Sequence, residues 1–306
     1  MGVQSLFRVA LGAVAMTAMT LGTGCSRDHI KAIELANAGD QAISVNVAGA
    51  IQKYEEATRL DPTNHRIFWK LANAYQKQEE WDKMASTLGR AAQAAPEFAN
   101  YWFRNGYALM RLAAGGNMDS YEEAKKPLKT CIEKDPNFAE CYYWLGEALL
   151  WTGDEQGAIE YYNKAIEHDP TVAMFYAPLG DIYITLKFYD EAEKVLTEGT
   201  KLVAPTESAR DHLYNMYTLL SVVYQAKGDD ANRLSVLEKA DSIAGESHPE
   251  NSFNLGSTYA VMGQKEKAIR LLKSFNKRAC RSKKAAKQFK AQCEQSAALV
   301  QQLGAQ

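Results

Sequence analysis

The sequence predicts an all-α solenoid, in which helix hairpins stack side by side and a C-terminal helix caps the row. Three observations carry that expectation. Pro62, Pro96, Pro136, Pro170 and Pro205 follow one another at separations of 34, 40, 34 and 35 residues. Four of these prolines sit in related words, RLDPTN, EKDPNF and EHDPTV, with QAAPEF looser. Each proline is flanked by stretches whose apolar residues recur at helical spacing, and a period of this size marks a repeat architecture. Composition agrees: of 306 residues, 46% are hydrophobic and 24% charged, enough apolar surface to bury a core. A net charge of −2 argues against a chain that binds nucleic acid along its whole surface.

Read in chain order, residues 1–24 form an address. Arg8 is the one charge before a run from Val9 to Leu21 that is apolar or small apart from two threonines. The run suits a secretory signal and is short of the roughly 20 apolar residues of a membrane span. Its ending, Thr23-Gly24-Cys25, resembles the cleavage box of bacterial lipoprotein signals. That resemblance implies that Cys25 becomes the mature N-terminus and carries acyl chains. Several chains on one residue make a stable anchor. Ser26, where an aspartate would favour retention in the inner membrane, implies the periplasmic face of the outer membrane. Residues 25–30 then read as a lipidated tether.

Residues 31–282 carry the repeat. The first unit shows only its second helix clearly, as Ala50, Tyr54, Ala57 and Pro62. The unit from His65 supplies Phe68, Leu71, Ala72, Tyr75, Met84, Leu88, Ala91 and Pro96. The unit from Ala99 has Trp102, Gly106, Ala124, Leu128, Cys131 and Pro136, with about six extra residues expected in the turn around Gly115-Gly116-Asn117. The unit from Ala139 has Tyr142, Leu145, Gly146, Leu149, Ala158, Tyr162, Ala165 and Pro170. The unit from Ala173 has Tyr176, Leu179, Gly180, Tyr183, Ala192, Leu196, Gly199 and Pro205. The unit near Tyr214 follows an insertion over Thr206–Leu213 and has Tyr217, Leu220, Ser221, Tyr224, Gly228, Leu237 and Ala240, with Arg233 at a small-residue position. The last, near Pro249, has Leu255, Gly256, Tyr259, Gly263, Ala268 and Leu272. Residues 283–306 follow as a basic capping helix. Pro127 and Pro178 fall inside expected helices and should bend them.

These words resemble the tetratricopeptide repeat. Its pattern has an aromatic at position 4, Leu-Gly at 7 and 8, Tyr at 11, Ala at 20, an aromatic or Leu at 24, Ala at 27 and Pro at 32. The resemblance implies a right-handed superhelix of helix pairs, since no pair buries its apolar face alone. It also implies that the small residue at position 8 faces the one at position 20.

In this family the first helix of each pair lines the concave groove. Carried onto this chain, the groove shows Trp69, Asn73 and Lys77, then Phe103, Tyr107 and Arg111, then Tyr143, Glu147 and Trp151, with Asp181, Ile184 and Val222 beyond. Aromatics and Arg anchor interfaces, so residues 66–151 are expected to hold a peptide segment or exposed helix of a partner protein. The other reading of each aromatic is packing against a neighbouring helix. Relatives that grip a C-terminal carboxylate carry a Lys where this chain has Trp69, which argues against that mode.

With Cys25 lipidated, Cys131, Cys141, Cys280 and Cys293 remain. Four is even, and an exported chain meets oxidising conditions, so Cys131–Cys141 and Cys280–Cys293 are candidate disulfides. Buried thiols are the alternative, since Cys131 stands where a small core residue belongs. No close Cys/His spacing suggests a metal, and no cofactor is expected. Charge is segregated. From Lys265 to Lys290 eleven basic residues face the lone Glu266, so this stretch carries +10 and the rest must carry −12. The basic stretch reads either as a solvated face or as a dock for an acidic partner, anionic lipid or cell-wall polymer.

No P-loop, HExxH or GxSxG is present, and the five histidines are scattered, so no enzyme is expected. The layout of signal, lipidated cysteine and repeat array resembles outer-membrane lipoproteins such as type IV pilus pilotins and those of gliding-motility and β-barrel assembly machines. It implies a lipid-anchored periplasmic adaptor that binds proteins of an envelope complex, such as the pilus secretin or a motility complex, with no nucleic acid and no small-molecule substrate. A periplasmic chaperone holding unfolded secreted or cytochrome clients is the alternative.

Overall fold

The computed structural model describes residues 22–244, 248–281 and 287–304. Among the described residues it is helical throughout, with no strand. The signal reading for residues 1–21 lies outside them.

The chain divides between Pro136 and Asn137 into two compact units. The first holds α1 (Gly22–Ala42), α2 (Val47–Leu60), α3 (His65–Lys77), α4 (Trp81–Ala94), α5 (Ala99–Ala114) and α6 (Asp119–Lys134). The second holds α7 (Ala139–Trp151), α8 (Glu155–His168), α9 (Tyr176–Thr185), α10 (Tyr189–Leu202), α11 (Arg210–Lys227), α12 (Asp230–Ala244), α13 (Pro249–Val261), α14 (Lys265–Ala279) and α15 (Lys290–Gly304). Odd and even helices pair as hairpins, and within each unit consecutive hairpins pack side by side.

The segment expected as a tether, residues 25–30, is instead the start of α1. No proline interrupts it, and Ala32 and Ala36 are buried against the hairpin partner α2, which draws the segment into the first pair. Cys25 falls in α1, with its side chain outside what is described. The first hairpin is therefore complete. Gly39 supplies its close-approach residue, missed in the sequence because its helix lacks the family's aromatic and leucine.

The extra residues of the third hairpin lengthen helices rather than the turn. α5 and α6 each run 16 residues, against 13 in α3 and 14 in α4. The added Met110–Ala114 stretch contains good helix formers, so the helix continues through it. The insertion before Tyr214 behaves the same way. A short 3-10 turn (Glu207–Ala209) leads straight into α11, which starts at Arg210.

Pro178 does not bend a helix interior. The hairpin opens with a 3-10 turn (Ala173–Phe175), and Pro178 sits in the first turn of α9, where a missing N–H has no partner to lose. Pro127 does lie inside α6, buried.

The Asp-Pro words are helix stops. The Asp61 and Asp169 N–H groups donate to the Ala57 and Ala165 carbonyls, closing α2 and α8. Each carboxylate then folds back on the threonine two residues on. Asp61 Oδ1 accepts from the Thr63 N–H (3.2 Å) and hydroxyl (2.8 Å), and Asp169 from those of Thr171 (3.0 and 2.7 Å). This is a local turn that competes with continued helix.

The small residue at position 8 faces the backbone at position 20, with Gly146 opposite the Ala158 carbonyl, and is also covered by the side chain at position 24. A Cβ on Gly146 would come 3.0 Å from the Tyr162 ring, and one on Gly180 would come 2.5 Å from Leu196. The large residue at 24 lies over this point, where glycine leaves it most room and the small Ala72 and Ser221 stand in the second and sixth hairpins.

The C-terminal cap is seated on the last hairpin. Phe253, Leu272, Phe275 and Ala279 form a core against which Phe289, Leu299, Val300 and Leu303 pack. Cys280 and Cys293 are joined, with Cα atoms 5.8 Å apart. Cys131 and Cys141 are fully buried and oxidised rather than free thiols.

Candidate functional site

In the first unit the odd helices α3 and α5 present their candidate residues on a shared face. Trp69, Asn73, Phe103 and Tyr107 are half-buried, and Lys77 and Arg111 are exposed. Two arginine–tryptophan stacks organise the face. The Arg104 guanidinium lies 5.4 Å from the Trp69 ring centre, and that of Arg111 lies 4.8 Å from Trp81. Arg104 also reaches from α5 back to α3, donating to Asn73 Oδ1 (3.2 Å) and to Gln76 Oε1. Burial holds its guanidinium pKa below the usual value. Tyr107 meets Trp81 edge-on at 6.2 Å and Phe103 at 6.4 Å.

Arg104, Gln76 and Trp81 belong to this face and were not foreseen. Trp81 opens the even helix α4, which the family pattern turns away from the groove, so position alone hides it. The signal for Arg104 was a charge in the middle of α5, whose only other charge is Arg111.

The face has a polar flank on α1. Lys70 pairs with Asp40, which also accepts from the Tyr54 hydroxyl at 2.8 Å. Trp69 also packs on Tyr101 at 5.5 Å, and His65 bonds the Tyr101 hydroxyl at 2.7 Å. Part of the aromatic area therefore holds α3 to α5, and the rest is left as half-exposed ring surface.

In the second unit one expected groove residue is buried, and another, half-buried, is tied to the neighbouring helix. Tyr143 is buried, at 8% exposure, stacked on Phe175 at 5.3 Å and beside Tyr162 at 5.7 Å. Glu147 accepts the Tyr162 hydroxyl at 2.6 Å. Burial pushes the Glu147 carboxyl above its ordinary range, partly offset by hydrogen bonds from Tyr162, Tyr143 and Trp151. The reason lies in the packing. Tyr162 crosses over Gly146 and its hydroxyl emerges at the next residue, so position 9 must supply an acceptor. The first hairpin repeats the arrangement with Gly39, Tyr54 and Asp40. Where leucine covers the glycine, as Leu196 covers Gly180, the following Asp181 is exposed. Trp151 is 57% exposed at the end of α7. Of the more distal candidates, Asp181 and Val222 are exposed and Ile184 is half-buried.

Tyrosines at position 11 join successive hairpins. The Tyr75, Tyr224 and Tyr259 hydroxyls donate to Glu55, Glu193 and Glu238 of the preceding even helix at 2.6, 3.1 and 2.6 Å. Among the described residues no group of His, Cys, Asp and Glu is placed to hold a metal.

Stacked hairpins with an exposed odd-helix face define a helical-repeat interaction scaffold. Residues 46–79 match the profile described as a TPR repeat, and residues 143–294 match the one described as the fourth ARM domain of tetratricopeptide repeat protein 21. The chain is a tetratricopeptide-repeat protein.

It is 25% identical over 218 residues to anaphase-promoting complex subunit 3 of Schizosaccharomyces pombe, across 70% of this chain and 30% of that one. It spans under a third of the length of the curated relatives it matches. Among solved structures it is similar to the C-terminal part of a TPR repeat-containing protein from Cytophaga hutchinsonii. That likeness has a TM-score of 0.61 and 16% identity, over 84% of this chain and 97% of that one. The structure of Pseudomonas aeruginosa pilF is similar with a TM-score of 0.51 and 16% identity, over 72% of this chain and 93% of that one. At such identities the likeness is one of fold.

Proposed function

We propose that this protein is a lipid-anchored adaptor on the periplasmic face of a bacterial outer membrane, supporting assembly of an envelope machine such as a type IV pilus secretin or a motility complex. The odd-helix face of the first unit holds a segment of the partner protein. The observation that carries this reading is the half-exposed face of Trp69, Trp81, Phe103 and Tyr107, organised by two buried or stacked arginines. Such residues lose little rotamer freedom on binding and anchor interfaces. The anchoring part rests on the Thr23-Gly24-Cys25 ending and on Ser26.

Two experiments test the two parts separately. The Trp69→Ala/Tyr107→Ala chain should lose its co-purifying envelope protein while keeping a cooperative unfolding transition. Retention of the partner by a folded double variant overturns the binding face. Metabolic labelling with palmitate should mark the wild type and not Cys25→Ser. An unlabelled wild type overturns the anchor.

A further inference from the structure

We infer that α14 carries a second membrane contact, independent of Cys25, which lays its basic face on an anionic phospholipid surface. α14 buries Ala268, Leu272, Phe275 and Ala279. The opposite side shows Lys267, Arg270, Lys273 and Lys277, all exposed, and Arg281 continues the row just beyond the helix. Lys267 to Lys277 spans about 15 Å at the rise of a helix.

Several lysines elsewhere are neutralised by ion pairs: Lys70 with Asp40, Lys164 with Glu160, Lys227 with Asp190 and Glu193. Among the described residues none of the five cations of this row has a carboxylate within ion-pair distance. Like charges on successive turns of one helix repel. Lys267 lies over the Tyr259 ring at 4.9 Å and Glu266 is the helix's one carboxylate, so the row sits in the folded chain as a net positive strip.

Two features favour lipid over an acidic protein. Lysine is depleted at protein interfaces, whereas lysines and arginines near an anionic leaflet each add attraction. The turn feeding α14 also exposes Val261 (68%) and Met262 (38%) just before Lys265. Exposed apolar side chains beside a basic helix face are the composition of an interfacial element.

The test uses the full chain with Cys25→Ala, so that no acyl chain attaches, and co-sedimentation with vesicles. Vesicles of phosphatidylcholine alone are compared with vesicles containing about 30% phosphatidylglycerol, and the charge-reversal variant separates the contribution of α14 from that of Arg8 and the N-terminal amine. The anionic vesicles should bind at least about tenfold more tightly, and 0.5 M salt should abolish the difference. Lys267→Glu/Arg270→Glu/Lys273→Glu/Lys277→Glu should lose the gain while keeping the wild-type circular dichroism. Val261→Ser/Met262→Ser should lower binding to anionic vesicles and leave the salt dependence. Equal binding to both vesicle types, or a folded charge-reversal variant that keeps the gain, overturns the inference. So does stronger capture by immobilised polyglutamate than by anionic vesicles, which would make the strip a dock for an acidic chain.

Discussion

In five of the hairpins the turn asks one residue to adopt a left-handed backbone. Gly153, Gly228 and Gly263 answer with φ of 85°, 70° and 73°, and Glu79 and Lys187 stand at the same place with φ of 57° and 63°. A left-handed conformation costs an L side chain about 1–2 kcal/mol that glycine avoids, part of it returned through the freer unfolded chain. Lys187→Gly should therefore raise the urea midpoint, by about 1 kcal/mol in stability. An unchanged or lower midpoint would show that Lys187 makes a compensating contact. The glycines at this turn are visible in the sequence as Gly153-Asp154, Gly228-Asp229 and Gly263-Gln264. The two departures are not, because nothing in QEE or LKF announces a positive φ. The same limit applies to the Asp-Pro words, whose recurrence is plain but whose carboxylate-to-threonine turn needs coordinates.

The fourth hairpin shows how one position can serve the fold and resemble a site. Helical periodicity sends Glu147 to the odd-helix face, and that much was legible. What periodicity omits is the reach of the side chain at position 24, which passes over Gly146 and delivers the Tyr162 hydroxyl to Glu147. Tyr162→Phe should cost about 1 kcal/mol at pH 7, since it removes one of the donors to a part-buried carboxylate that keeps Tyr143 and Trp151. Burial raises the folded pKa of Glu147 above its unfolded value. Its contribution is thus fully present below the unfolded carboxylate pKa and declines as pH rises through the folded one. Glu147→Gln should remove that decline, so thermal midpoints from pH 4 to 8 should fall less than in the wild type. A wild-type profile flat over this range would contradict the assignment. In the first unit the same periodicity puts Trp69, Asn73, Tyr107 and Arg111 on the odd-helix face, where they are half-buried or exposed. It missed Trp81, which enters the face from the start of an even helix.

At the scale of the whole molecule, the repeats were read from prolines and small residues because the same packing problem recurs every hairpin. The division after Pro136 was not, since the sequence pattern runs through it without a break. The cap is tied to the last hairpin by Cys280–Cys293, a loop of 13 residues. Closing a loop of this size contributes up to about 3 kcal/mol. Cys280→Ser/Cys293→Ser should speed hydrogen exchange throughout α15 and expose Phe275 and Phe289 to a dye that binds apolar surface. Unchanged protection would show that the apolar contacts of Leu299, Val300 and Leu303 suffice alone. The central claim, that the odd-helix face of the first unit receives the partner, is tested most directly by site-specific photocrosslinking in cells. A photoreactive residue at Lys77 or Arg111 should give one discrete adduct with an envelope protein, and the same residue at the exposed Gln93 on α4 should give none. Adducts from Gln93 with none from Lys77 or Arg111 would contradict it.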